Sequence, residues 1–173
     1  ESEAEARAEA NLILELYERF VRDHLAIPVF TGEKSESERF PGAVQTLSIE
    51  AMVQDRKAIQ AGTSHFLGQN FARASGIQFQ NREGKQEFGW TTSWGVSARL
   101  IGTVVMAHSD DDGLVLPPRI APTQIVILPI TPKDETRAAV LEACDKLAKE
   151  LRESRYIDLP IEVEVDRRDL GGG

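Results

Sequence analysis

The sequence predicts an α+β fold over residues 1–122, followed over 123–173 by the start of an α/β unit. Three patterns carry this reading. An amphipathic helix opens the chain, β-rich runs joined by short polar turns follow it, and a strand–helix–strand series closes it. A strand–helix–strand series of this length is a βαβ unit with a parallel sheet.

Each element follows from its spacing. Leu12, Ile13, Leu16, Tyr17, Phe20 and Val21 recur every three or four residues, which places them on one helical face with Glu and Arg opposite. Leu25 to Phe30 is a short apolar run that ends in the turn Thr31-Gly32, and residues 33–39 form a charged loop. Val44 to Val53 is rich in β-branched and apolar residues and reads as a strand. Gln54-Asp55-Arg56-Lys57 turns the chain into a second strand, Ala58 to Thr63. Ser64 to Ala74 reads as a short helix. Ile77 to Gln80 and Gln86 to Ser93 flank the hairpin-like connection Arg82-Glu83-Gly84-Lys85. Ala98 to His108 has the composition of a buried helix, and Ser109 to Pro122 is a loop that leads to a domain boundary near Pro122. Thr123 to Ile130 and Ile161 to Val165 are the strands of the closing unit, and Pro132 to Arg155 is the helix between them.

Composition narrows the function. The apolar share of 41 % is that of an ordinary globular protein. A net charge of −8 argues against a free-standing nucleic-acid module, and the helix after Pro132 is evenly balanced in charge. A large enzyme that meets RNA on a local basic surface remains open. The single cysteine, Cys144, excludes an internal disulfide and suits a reducing compartment. No apolar run approaches the ~18 residues of a membrane span. Residues 1–11 are acidic and alanine-rich, the reverse of a signal peptide. The expected location is the cytoplasm, with no membrane partner. Both ends read as cut: the helix begins without a capping residue, and Gly171-Gly172-Gly173 follow a strand with no partner.

The chemistry concentrates in TTSWGVSARLIG, Thr91 to Gly102. A strand and a glycine lead to an arginine on the first turn of a helix. A guanidinium beside a helix N-terminus joins a planar cationic fork to backbone N–H groups, which suits phosphate. Gly95 would let a ligand approach the backbone. An ordinary surface arginine after a tight turn is the competing reading. A second stretch, Ala58 to Gly68, alternates polar with small side chains. Gln60 and Thr63 can point into a pocket there, whereas a lone histidine such as His65 is more often a structural residue. His108 with the three aspartates that follow could be read as a metal site, but the sequence holds no second ligand cluster to join them. His24 and Cys144 have no partner motif.

Thr91 to Gly102 resembles the third signature motif of the class II aminoacyl-tRNA synthetases. More narrowly, Ser93-Trp94-Gly95-Val96-Ser97-Ala98-Arg99-Leu100-Ile101-Gly102 resembles the prolyl enzymes of the archaeal and eukaryotic-like type, with alanine at 98 where threonine is common. Ala58 to Gly68, Arg39-Phe40-Pro41-Gly42-Ala43 and His108 to Pro122 resemble passages of the same enzymes, so the likeness runs in order along nearly the whole chain. It implies that residues 1–122 are the C-terminal half of a class II catalytic domain, an antiparallel sheet with flanking helices. Residues 123–173 would be the truncated start of an anticodon-binding domain. It implies ATP, Mg²⁺, L-proline and tRNA(Pro) as cofactors and partners, and a homodimeric full-length enzyme. Carried over singly, Arg99 is the catalytic residue on the ATP phosphates, and Gln60, Thr63 and Ser97 join it on the nucleotide side. Gln60 is also the candidate to touch Mg²⁺. His65, Ser93, Trp94, Gly95 and Phe40 fall on the proline side. The first two motifs would lie upstream of residue 1, so the piece alone is expected to be inactive. Rival readings are a non-catalytic relative that binds or regulates, the threonyl or glycyl enzyme, and a separate βαβ module.

Overall fold

The computed structural model describes residues 1–131, 133–157 and 159–168. It separates into two compact units that meet at Pro117 and Pro118. The division lies a few residues before the boundary read from composition.

The first unit contains helix α1 (Glu3–Asp23), strand β1 (Val29–Glu33), a single 3₁₀ turn (Glu36–Glu38), β2 (Gln45–Met52), β3 (Ala58–Gly68), α2 (Asn70–Ser75), β4 (Gln78–Gln80), β5 (Gln86–Phe88), β6 (Thr91–Gly95) and α3 (Arg99–His108). Four of the strands form an antiparallel sheet in the order β1-β2-β3-β6. β4 and β5 make a separate hairpin. The run from 86 to 93 is therefore two strands in two sheets, divided at Gly89-Trp90.

Helix α1 does have a capping residue, contrary to expectation. Ser2 accepts from the Glu5 N–H at 3.2 Å, and the Glu5 carboxylate accepts from the Ser2 N–H at 2.9 Å. This reciprocal box satisfies two N–H groups that the helix itself cannot. It also places an acidic residue at the positive end of the helix dipole.

α1 lies across one face of the sheet. Ala6 and Ala10, one turn apart, are buried against Phe66 and Trp90. Their small side chains allow close approach, and Ser64 Oγ donates to the Ala10 carbonyl at 2.8 Å. Thr92 Oγ1 donates to Glu9 at 2.6 Å from the same face. Phe66 is 1 % exposed, so its burial contributes roughly 1.5–3 kcal/mol. α3 is tied to the chain beyond α1 by His108, whose Nε2 donates to the Leu25 carbonyl at 2.7 Å. α3 is only half buried: Leu100, Thr103 and Val104 are inside, while Ile101 is 70 % exposed.

The largest departure from the sequence reading is at residues 64–68. They continue strand β3 and are not a helix; the helix that follows is only Asn70–Ser75. β3 is hydrogen-bonded on both sides, to β2 and β6, and this pairing overrides local helical preference. Gly68 has φ +59, a left-handed conformation that ends the strand.

In the second unit β7 (Ile125–Ile127) pairs in parallel with β10 (Val163–Val165), and α4 (Asp134–Glu153) connects them. A two-residue pair, β8 (Arg155–Tyr156) with β9 (Leu159–Pro160), lies between α4 and β10. The parallel strand–helix–strand arrangement agrees with the sequence reading, but both strands are shorter than expected. Ala148 on α4 and Val163 on β10 are buried. Pro132 and the terminal glycines lie outside the described residues.

Candidate active site

Strand pairing sorts the side chains of the sheet into two faces. Opposed residues of paired strands share a face, and successive residues alternate. Ser64 and Phe66 face α1, so their partners Trp94 and Thr92 face it too. Thr63 and His65, with partners Gly95 and Ser93, face the other way. On β2 that second face is formed by Thr46, Ser48 and Glu50. One face is therefore a helix-covered core, and the other is polar.

A bulge brings Gln60 to the polar face. Ile49 pairs with Gly62 and Glu50 with Gln60, which leaves Ala61 unpaired on β3. Gln60 and Thr63 are three residues apart and would fall on opposite faces of a regular strand. The extra residue reverses the alternation, so both line one cleft.

That cleft has a volume of about 280 Å³ and is lined by Gln60, Thr63, Gly95, Ser97 and Arg99 along with Ala61, Gly62 and Val96. Five of the residues read from sequence thus meet in one place. Arg99 is exposed rather than buried, and Nη1 donates to the Gln60 carbonyl at 3.4 Å. It forms no ion pair among the described residues, and no acidic side chain lines the cleft. The guanidinium charge is left for a ligand. The helix N–H groups are not. Arg99 N–H donates to Ser97 Oγ at 3.2 Å, Leu100 N–H to the Ser97 carbonyl and Ile101 N–H to the Ala98 carbonyl. The expected anion seat on open N–H groups is already filled by this tight turn, so the guanidinium carries the positive charge of the site.

His65 lies two residues beyond Thr63 on the same face. Its Nδ1 is 3.0 Å from Thr46 Oγ1, and its ring packs on Phe40 with centroids 4.9 Å apart. Phe40 in turn stacks near Phe71 at 6.3 Å. Burial pushes the His65 pKa below its ordinary 6.5. Ser93 is directly opposite His65 on β6. Phe40, His65 and Ser93 therefore form a second cluster beside the cleft.

Trp94 does not belong to either group. It pairs with Ser64 on the α1 side and is half exposed there. Expected on the proline side, it falls by strand parity on the face opposite His65 and Ser93. Gly62 holds the cleft floor from behind: a Cβ there would meet Tyr17 and Val96 at 3.2 Å and Ile49 at 3.4 Å. Thr46 was not singled out from the sequence. Its signal is the alternation Thr46, Ser48, Glu50 within an otherwise apolar strand.

The donor set suits a polyphosphate better than a bare metal ion. Gln60, Thr63 and Ser97 offer neutral oxygens, and Arg99 offers a fork of N–H donors. Among the described residues no group of three or more His, Cys, Asp or Glu could hold a metal.

Comparison with known proteins finds close relatives along the whole chain. The chain is 61 % identical over 173 residues to the proline–tRNA ligase of Akkermansia muciniphila, covering 100 % of this chain and 34 % of that protein. It is 57 % identical over 171 residues to proline–tRNA ligase 2 of Anaeromyxobacter dehalogenans, covering 99 % and 34 %. Against the proline–tRNA ligase of Rhodopirellula baltica the figures are 58 % over 169 residues, 98 % and 33 %. Among solved structures, prolyl-tRNA synthetase from Cryptosporidium parvum complexed with L-proline and AMP superposes with a TM-score of 0.82 at 38 % identity. That match covers 96 % of this chain and 35 % of the other. No protein-family model matches the chain. The chain spans about a third of the length of the curated relatives it matches. Along its whole length the chain is therefore similar, in sequence and in fold, to about one third of the length of these proline–tRNA ligases.

Proposed function

We propose that this chain supplies one side of the active site of a proline–tRNA ligase. The reaction joins proline to the adenylyl group of ATP, releasing pyrophosphate, and then transfers the prolyl group to tRNA(Pro). The single observation that carries the proposal is the cleft that unites Gln60, Thr63, Ser97 and Arg99, with His65 two residues along the same strand. The relative from Cryptosporidium parvum, with L-proline and AMP bound, supports the substrate classes.

In the first step a carboxylate oxygen of proline attacks the α-phosphorus of ATP, and pyrophosphate leaves. In the second the terminal ribose hydroxyl of tRNA attacks the prolyl carbonyl, and AMP leaves. The protein's part is to position the reactants and to stabilise charge. Arg99 holds the departing phosphates as their charge grows. Gln60 and Thr63 orient the nucleotide on the cleft floor, and Ser97 keeps the turn that aims Arg99. Phe40, His65 and Ser93 form the proline side. Mg²⁺ bound to the phosphates would neutralise their charge, and the Gln60 side-chain oxygen is an acceptable hard ligand for it. With no carboxylate in the cleft, this chain would contribute at most a minor share of the ion's ligands.

Residues 1–122 fit the C-terminal half of the catalytic domain. Residues 123–173 fit the start of the anticodon-binding domain. We place the whole enzyme in the cytoplasm as a homodimer. The test is ATP–pyrophosphate exchange by the whole enzyme with each amino acid in turn. Exchange driven by proline is expected; exchange driven by another amino acid, or by none, would overturn the proposal.

A further inference from the structure

We infer that Thr46 is a positioning residue for His65: its hydroxyl donates to Nδ1 and holds the imidazole in the tautomer whose proton sits on Nε2. The argument is a count of donors and acceptors. Thr46 and His65 are directly opposed on β2 and β3, and Oγ1 lies 3.0 Å from Nδ1. Thr46 is only 2 % exposed. Its Oγ1 has one other partner, the Phe40 backbone N–H, which donates to it at 3.1 Å.

A hydroxyl has one proton to give and two lone pairs to accept with. If Nδ1 carried the ring proton, Oγ1 would accept from both neighbours. Its own proton would then be buried with nothing to receive it, a costly state. If Thr46 donates to Nδ1, every group is satisfied. The proton of neutral imidazole must then be on Nε2. Nε2 has no protein partner among the described residues, and it is not a buried unsatisfied atom, so it is open to solvent. The Phe40 ring, 4.9 Å away and tilted by 38°, keeps the imidazole from turning over. The Phe40 peptide that bonds Thr46 and the Phe40 ring that covers His65 thus act together. The result is one fixed N–H donor aimed away from the sheet at the proline side of the cleft. It selects a ligand with an oxygen acceptor at that point and repels a donor.

This inference takes its ligand from the proposed function, but the tautomer stands on the geometry alone. The test uses the whole enzyme labelled with nitrogen-15 in histidine, with His65→Asn to identify the His65 signals. The wild-type spectrum should show Nε2 protonated and Nδ1 bare. Thr46→Val should give mixed tautomers, a proline KM raised about tenfold for one misdirected hydrogen bond, and an ATP KM within about twofold. Thr46→Ser, which keeps the hydroxyl, should restore both the spectrum and the proline KM. A wild-type spectrum with the proton on Nδ1 would overturn the inference. So would a Val variant in which the two KM values rise together, since that is general loosening. If Thr46→Val does not fold, the wild-type spectrum and the Ser variant still decide. An Nε2–H spectrum without proline-dependent exchange would uphold the Thr46 lock and overturn the proline reading instead.

Discussion

Replacing Arg99 by alanine separates catalysis from stability, and the structure sets both magnitudes. The side chain is exposed, and among the described residues its one hydrogen bond is a long 3.4 Å contact to the Gln60 carbonyl. Alanine is at least as good a helix former, so folding stability should change by no more than about 0.5 kcal/mol. The reaction should suffer far more. Among the described residues the guanidinium is the only charged group lining the cleft, and the nearby helix N–H groups are already bonded. No neighbour can replace it on the phosphates. Loss of such a preorganised contact costs about 2–4 kcal/mol, or roughly 30- to 1000-fold in rate. The assay is proline-dependent ATP–pyrophosphate exchange in the whole enzyme, with thermal unfolding measured in parallel. Arg99→Lys should fall in between, because it keeps the charge and loses the fork. A well-folded Arg99→Ala enzyme with exchange within about threefold of wild type would refute the assignment.

Four further outcomes are expected. Gly62→Ala should destabilise the protein by about 1–3 kcal/mol, because the new Cβ meets Tyr17 and Val96 at 3.2 Å; an unmoved urea midpoint would show that this layer yields freely. His65→Ala should raise the KM for proline more than that for ATP, since His65 sits with Phe40 and Ser93 beyond the Arg99 cleft; a selective rise for ATP would mean the two sides are reversed. His65 is held below its ordinary 6.5, so its share of stability is full above about pH 6.5. That share declines as pH falls towards the depressed folded value, because the unfolded chain takes up the proton first. His65→Gln should flatten this acid decline, and identical acid profiles would remove the effect. Finally, the 173-residue chain alone should not make prolyl-tRNA, since it spans about a third of its relatives' length. Aminoacylation at a sizeable fraction of the whole enzyme's rate would place the chemistry wholly within these residues.

What could be read from the sequence was mostly what is contiguous in it. Thr91 to Gly102 carries a strand, a turn and Arg99 in one stretch, so the cleft's charged member was legible. α1 announces itself by periodicity, and β2 and α3 by composition. Ser2 and Glu5 spell a capping box that the lead-in reading passed over. The rest depends on pairing between distant segments. Residues 64–68 look helical alone and become strand because β2 and β6 flank them. Trp94 sits beside Ser93 and Gly95 in sequence but on the opposite face, and only the register with Ser64 reveals this. Thr46 is nineteen residues from His65, and no local pattern joins them.

The unpaired Ala61 has a consequence for how this segment can vary. Strand β3 carries two registers of inside and outside, one before the bulge and one after it. A single-residue deletion between Ile59 and Gly62 would merge them and turn Gln60 into the helix layer, against Tyr17 and Ile49. A single-residue insertion would do the same. Length changes there should therefore be tolerated only in pairs, whereas point substitutions on the polar face should be limited by chemistry alone. A deletion library across residues 58–63, scored for folding, would show losses that alternate between odd and even lengths, the mark of a strand whose parity is set by one extra residue.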